Sequence, residues 1–128
     1  MGARGPRELR WIGSSLRDLK RFPDEVQMAM GVALLHAQLG GKHVHAKPLH
    51  GFNGGGVVEI VETWGGGSYR AVYTVRYAEA VYILHAFQKK STSGIKTPSR
   101  EIDLVRVRLQ IAETRHRIED GTQRGGRP

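Results

Sequence analysis

The residues of this chain that are best suited to chemistry are basic and lie in a segment that alternates like β-strand. The run "YRAVYTVRYAEAVYILHAFQKKS", which begins at position 69, contains Arg70, Arg76, His85 and the adjacent pair Lys89 and Lys90. Guanidinium and ammonium groups bind phosphate oxygens, and an imidazole can accept or donate a proton near neutral pH. These types predict cleavage of RNA through its 2′-hydroxyl, which needs a base, an acid and cations that stabilise the charge on phosphorus.

The candidate residues fall into two groups. The catalytic candidates are the cations Arg70, Lys47, Lys89 and Lys90, with His85 as acid or base. The RNA-binding candidates are Arg76 and Lys42 for phosphate groups, and Tyr73 and Phe87 for stacking on bases. This scheme requires no metal and no other cofactor.

Each candidate also has a structural interpretation. An arginine in a strand can be solvated or paired with a carboxylate, here Glu59 or Glu62. A histidine in an apolar strand can be a hydrogen-bonded structural residue, and the lysine pair can protect a strand edge. Tyr73 and Phe87 can belong to the core instead of binding bases.

A histidine-rich loop, "KHVHAKPLHGFNGGG", raises the question of a metal site. His43, His45 and His50 fall within it, and imidazole is a common zinc ligand. The chain has no cysteine, the loop has no carboxylate, and there is no HExxH helix. The sequence therefore favours a mobile basic loop over a metal site.

Composition limits the class of protein. The 128 residues suit one domain, and 20 Lys and Arg against 12 Asp and Glu give a net charge of +8 and a pI near 10.3. Such a charge favours a polyanionic partner. The lack of cysteine excludes disulfides and thiol redox chemistry. No apolar run reaches the length of a membrane span, so we expect a cytoplasmic protein with no membrane partner.

The elements predicted around these residues define an α+β fold. "RELRWIG" predicts a first strand, a short helix follows Ser14 or Ser15, and "PDEVQMAMGVALLHAQL" predicts a second helix. "VVEIVETW", "SYRAVYTVRY" and "AVYILHAFQKK" predict three strands joined by Gly65–Gly67 and by a turn at Ala78 and Glu79. A last helix is predicted from Thr97 or Pro98. We therefore expect an antiparallel, twisted sheet of about four strands packed against N-terminal helices, with a C-terminal helix.

Strand alternation predicts which side chains share a face. In the first basic strand, Arg70 and Arg76 lie on one face and Tyr73 on the other; in the next strand, His85 shares a face with Phe87 and Lys89. If the helices cover one face of the sheet, we expect Arg70, His85 and Lys89 to look out of the opposite, concave face.

Four segments in order resemble the RelE/HigB superfamily of type II toxins, in particular its phage-derived host-inhibition branch. They are "KPLHGFNGGGVVEI", "YRAVYTV", "AVYILHAFQKKS" and "KTPSREIDLVRVRL". The resemblance covers residues 9–118, which we take as a toxin domain between a flexible basic N-terminus, 1–8, and a disordered tail, 119–128.

The resemblance implies a RelE-like fold and metal-independent cleavage of messenger RNA, usually on the ribosome, which inhibits translation. By motif position, Arg70 resembles the arginine that contacts the scissile phosphate, Lys47 a basic loop residue, and Lys89 with Lys90 the cationic end of the final strand. The implied partner is a helix-turn-helix antitoxin, and promoter DNA would be bound only through the complex with it. Two alternatives stay open, a gyrase poison similar to the ParE toxins and an inactive phage-derived protein that binds RNA or a host factor.

Overall fold

The protein is a five-stranded sheet with helices on both faces, as seen in a computed structural model that describes residues 5–52, 56–89 and 97–121. The predicted α+β class is confirmed. The elements are β1 (Glu8–Trp11), α1 (Ser15–Leu19), α2 (Asp24–Gln38), β2 (Ala46–Pro48), β3 (Val57–Trp64), β4 (Gly67–Thr74), β5 (Ala80–Lys89), α3 (Ser99–His116) and a π-helical turn (Arg117–Gly121).

The sheet is mixed, whereas the sequence predicted an antiparallel sheet of about four strands. Its order is β1-β5-β4-β3-β2, with β1 parallel to β5 and the other pairs antiparallel. The additional strand is β2, which pairs Ala46 with Ile60 and Pro48 with Val58. Its three residues lie in the histidine-rich segment that was predicted to be a loop, because proline and the flanking glycines mask so short an edge strand.

The two connections among the central strands differ from each other. Gly65 and Gly66 form a two-residue hairpin with φ of 57° and 82°, which is the left-handed conformation expected for this turn. The link from β4 to β5 is longer than the predicted turn, since β4 ends at Thr74 and β5 begins at Ala80. Arg76 therefore lies in a connection and not in a strand.

A β-bulge changes which side chains of β5 share a face. The register passes from Val72 opposite His85 to Tyr73 opposite Ile83, so one extra residue, Leu84, is inserted. The predicted strict alternation along β5 is wrong for this reason. His85 stays on the same face as Val72, but Ile83 turns to the other face.

The helices cover both faces of the sheet, which corrects the expectation of one open face. On the first face, Leu19 of α1 and buried residues of α2 such as Met30 pack against Ile60 and Ile83. On the second face, Val105 and Ala112 of α3 form a separate core with residues from β3, β4 and β5. The predicted polar face is thus partly covered by α3.

Both ends of the described chain are held by contacts. The backbone N–H of Arg7 donates to the Gln38 carbonyl (3.0 Å), so the fold begins before Leu9. Arg10 Nη1 donates to Asp120 (2.7 Å) and fixes the π-helical turn to β1. Of the proposed tail, only 119–121 lie within the described residues. Of the helices in the described ranges, none combines the length and apolar character needed to cross a bilayer.

Candidate active site between the sheet and the last helix

Polar side chains from three neighbouring strands meet on the face that α3 covers. Register places Glu59, Val72 and His85 in one row across the sheet, and Arg70 opposite Phe87 in the next row. These side chains form a set with residues just before and within α3, and we call this set the polar cluster. Its hydrogen-bonded members are Glu59, Arg70, His85, Thr97, Glu101 and Arg108, and strand register places Lys89 on the same face.

Arg70 lies at the centre of the polar cluster and is bound to a carboxylate. Its Nη1 lies 3.4 Å from Oε2 of Glu59, and both side chains are almost fully buried. The Thr97 hydroxyl donates to the same Glu59 oxygen (2.7 Å) and accepts from Arg70 (3.3 Å). Of the two carboxylates that sequence offered as alternatives, the structure pairs Arg70 with Glu59. Arg70 is only 3% exposed, so it is almost completely shielded from solvent.

His85 is bound on both ring nitrogens. Its Nε2 lies 2.6 Å from Oε1 of Glu101, and its Nδ1 lies 3.4 Å from Nη1 of Arg108. Because a guanidinium can only donate, Nδ1 is the acceptor and Nε2 carries the proton that is donated to Glu101. Glu101 therefore orients the ring and is placed to exchange a proton with it.

Arg108 connects the bulge to the first helix. Its Nη1 donates to the carbonyl of Leu84 (3.0 Å), the bulged residue, and its Nη2 donates to Ser14 Oγ (3.1 Å). A Cβ at Gly13 would lie 2.9 Å from this guanidinium, so the close approach depends on glycine at that position. Burial lowers the pKa of Arg108.

The rest of the face is cationic and aromatic. Lys89 lies opposite Ser68 at the end of β5 and is 8% exposed. The ring of Phe87 stacks on the His85 imidazole with centroids 4.9 Å apart and planes at 22°. Phe87 thus supports the histidine from the same face as Arg70.

Two cavities border the polar cluster from opposite sides. One, of about 510 Å³, is lined by Lys47, Glu59, Thr97 and neighbouring residues of the β2 region. The other has a volume of about 570 Å³ and lies along the part of β5 that follows its pairing with β1. Its lining includes Asp18, Arg21, His85 and Phe87.

The structure brings together some of the predicted site residues and separates others. Arg70, His85, Phe87 and Lys89 share one face, and the exposed Lys47 lies opposite Glu59 at its edge. Lys90 lies outside the described residues.

Three RNA-binding candidates lie away from the polar cluster. Tyr73 is 2% exposed in the core on the opposite face, so it is not placed to stack on a base. Lys42 is exposed in the connection from α2 to β2. Arg76 binds Glu113 at 2.7 Å, near the far end of the sheet.

Several residues of the site carried no recognisable signal in the sequence. Glu101 and Arg108 belong to a helix whose apolar spacing was visible, but nothing in that spacing indicates that these two side chains reach His85. Arg21, which lines the β5-side cavity, was not predicted either. The seven-residue interval from Glu101 to Arg108 places both on one helix face, but it does not indicate that this face packs against His85.

The fold and the polar cluster define a small α+β protein with a basic, partly enclosed site. Residues 17–110 match the family model of the phage-derived protein Gp49-like family (DUF891). Because the match spans more than half of the chain, the protein belongs to this family. This agrees with the phage-derived resemblance, and membership of the RelE/HigB superfamily stays a prediction.

A solved structure is also similar, at low identity. It is the toxin–antitoxin complex RelBE2 from Mycobacterium tuberculosis, and its matched chain is 20% identical in sequence to this protein. The alignment covers 71% of this protein and 100% of the matched chain, with a TM-score of 0.41. No curated protein matches the chain in sequence.

Proposed function

We propose that the protein is the toxin of a type II toxin–antitoxin system, and that it cleaves messenger RNA on the ribosome without a metal. The observation that supports this most is the grouping of Arg70, Lys89 and the His85–Glu101 pair on one sheet face between two cavities. A net charge of +8 favours attraction to RNA and to the ribosome.

The proposed chemistry assigns a role to each part of the polar cluster. The His85–Glu101 pair accepts the proton of the 2′-hydroxyl and then donates a proton to the leaving 5′-oxygen. Lys89 and Arg70 stabilise the additional negative charge on phosphorus, while Lys47 binds the neighbouring backbone at the rim. Attack of the 2′-oxygen on phosphorus breaks the bond to the 5′-oxygen, which leaves a 2′,3′-cyclic phosphate and a 5′-hydroxyl end.

This scheme requires the polar cluster to open. Arg70 and His85 are bound to Glu59 and Glu101, so a phosphate must displace at least one carboxylate to reach them. Thr97 lies just before α3 and Glu101 lies in its first turn, and a shift of that end of the helix would uncover Arg70 and His85. Binding to the ribosome is the proposed cause of the shift, so cleavage is expected only on translated RNA.

The same burial favours a second candidate function. If the Arg70–Glu59 pair is permanent, the fold serves as a binding module, either a gyrase poison similar to the ParE toxins or an inactive protein that binds RNA or a host factor. In both cases growth would be affected without new RNA ends.

The partners follow from the proposal. A helix-turn-helix antitoxin would neutralise the toxin by covering its basic face, with charge complementarity favouring an acidic segment. Promoter DNA would be bound only by that complex. The activity would take place in the cytoplasm, where translating ribosomes are found.

Inducible expression in bacteria tests the proposal. Wild type should arrest growth and produce new RNA fragments with 5′-hydroxyl ends within coding regions. Lys89→Ala and Glu101→Gln should reduce fragment yield at least tenfold, because each removes a group that acts on the reacting atoms. Arg76→Ala is the matched control, since it removes a cation at the far end of the sheet.

The outcomes separate the candidates. Growth arrest without new RNA ends would reject the nuclease and favour the gyrase poison. A gyrase poison would then be recognised by cleaved DNA or by DNA that lacks supercoiling. Equal cleavage by all variants would reject the assigned roles but not the activity. Purified protein incubated with free and with translated messenger RNA tests the dependence on the ribosome.

A further inference from the structure

A second cluster of ligating side chains lies on the opposite surface of the sheet edge. His43 and His45 come from the connection between α2 and β2, and Glu62 comes from β3. One ligand atom from each of the three lies within 4.8 Å of the others. The ring of His36, in the last turn of α2, lies 5.5 Å from that of His43.

From this geometry we propose that His43, His45 and Glu62 form a binding site for Zn²⁺ or a similar divalent transition metal. Two imidazoles and a carboxylate are a common zinc ligand set, and the remaining coordination position would be filled by water or by His36. Imidazole-rich sites select such ions over Mg²⁺ and Ca²⁺, which prefer oxygen ligands.

The existing contacts show that little movement is needed. His45 Nδ1 lies 2.9 Å from Oε2 of Glu62, and the rings of His43 and His45 have centroids 5.1 Å apart. Ligand atoms around a tetrahedral zinc ion are separated by about 3.3 Å, given bonds of about 2.0 Å. Rotation of the His45 side chain, which is 53% exposed, supplies this change, while the Glu62 side chain is only 13% exposed.

The backbones that carry the ligands are already fixed relative to one another. Ala46, the residue after His45, is buried and pairs with Ile60, two residues before Glu62. On the other side, the Gly41 N–H donates to the His36 carbonyl (2.8 Å) and closes the end of α2. A bound ion would therefore link α2, the connection and β3.

The sequence argued against a metal here because the loop has no carboxylate. The pairing of β2 with β3 supplies Glu62 from another segment, and it leaves His50 out of the cluster. The site is independent of the polar cluster, although β2 also carries Lys47. Metal binding should therefore stabilise the edge strand whether or not the protein cleaves RNA.

Calorimetric titration of untagged protein with ZnCl₂ tests the proposal. Wild type and the control His50→Ala should bind one equivalent, whereas His45→Ala and Glu62→Gln should bind at least roughly tenfold more weakly. The control removes a histidine of the same exposed segment that lies outside the ligand set. Binding that is equal in all four proteins, or absent in wild type at about 100 µM zinc, would overturn the site.

Thermal unfolding supplies a readout that does not depend on activity. Zinc should raise the Tm of wild type and His50→Ala, because an ion that binds only the folded chain stabilises it. The Tm of His45→Ala should not change, and Mg²⁺ should have no effect on any of them. A zinc-dependent rise in Tm that survives both ligand substitutions would contradict the assignment.

Discussion

At the scale of single residues, the main result is that the predicted phosphate-binding arginine is half of a buried ion pair. Arg70 and Glu59 are also joined by the Thr97 hydroxyl. Breaking a buried pair leaves one charge without compensation, whereas replacing both partners by apolar groups removes the desolvation cost of both. Loss of activity in an Arg70 variant can therefore reflect lost stability as well as lost chemistry.

We predict that Arg70→Ala lowers the free energy of unfolding by about 3 kcal/mol, because it leaves the Glu59 carboxylate buried. The double variant Arg70→Met/Glu59→Leu should recover to within about 1 kcal/mol of wild type. Urea unfolding of the wild type, Arg70→Met, Glu59→Leu and the double variant measures the coupling. Additive single effects would show that the two side chains do not interact.

Tyr73 gives a second prediction at this scale, because burial raises its pKa to about 12. A pKa that is higher in the folded state than in the unfolded state means that the folded chain holds this proton more tightly. The contribution of this proton to the free energy of unfolding is fully present below the unfolded-state pKa near 10, and it is lost as pH rises toward 12. Between those values, stability should fall by roughly 1–2 kcal/mol.

The variant Tyr73→Phe keeps the ring and removes the titrating hydroxyl, so its stability should fall less over the same pH range. Urea unfolding at a series of alkaline pH values compares the two proteins. Parallel decline of wild type and Tyr73→Phe would mean that other groups cause the alkaline loss.

At the scale of elements, the strands were predictable but their relative positions were not. Alternation identified β3, β4 and β5, and helical spacing identified α2 and α3. The bulge at Leu84 has no sequence signal, since it depends on register and on the Arg108 guanidinium that binds its carbonyl. The short β2 was hidden for the same reason, because three residues become a strand only when β3 is beside them.

Register also explains how much of the site was predictable. Arg70, His85 and Lys89 were expected on one face, and they are there, despite the error in the alternation of β5. Their burial was not expected, because α3 was assigned no place relative to the sheet. The residues that complete the site, Glu101 and Arg108, come from that helix.

The β3–β4 hairpin gives a prediction about an element. Gly65 and Gly66 have left-handed φ values, and a Cβ at either would meet no atom within 4 Å. Asparagine tolerates this conformation and is favoured at the first position of such turns, so Gly65→Asn should stabilise the protein by about 0.5 kcal/mol through the unfolded state. Gly66→Ala should destabilise it by about 1 kcal/mol, because alanine is strained there. Urea unfolding distinguishes the two, and equal effects would contradict the turn conformation.

At the scale of the whole molecule, charge and covered faces act together. In the proposed function, the net charge of +8 would favour approach to RNA, and α3 would restrict which cations the RNA reaches first. The exposed Lys47 on the edge strand is available without any rearrangement, whereas Arg70 is not. We therefore expect an initial complex held by peripheral cations, followed by opening of the polar cluster.

This sequence of events predicts how RNA binding depends on salt. With about four phosphate contacts to single-stranded RNA, affinity should fall roughly fiftyfold between about 50 and about 200 mM salt. Lys47→Ala should reduce the slope of log affinity against log salt by about 0.7, the value for one released counterion. Arg76→Ala should change it less, because Glu113 already binds that guanidinium. Fluorescence anisotropy with 2′-O-methylated RNA, which cannot be cleaved through its 2′-oxygen, measures the slopes. An unchanged slope for Lys47→Ala would show that the edge strand is not part of the RNA-binding surface. The β5-side cavity would then be the route by which RNA reaches the site.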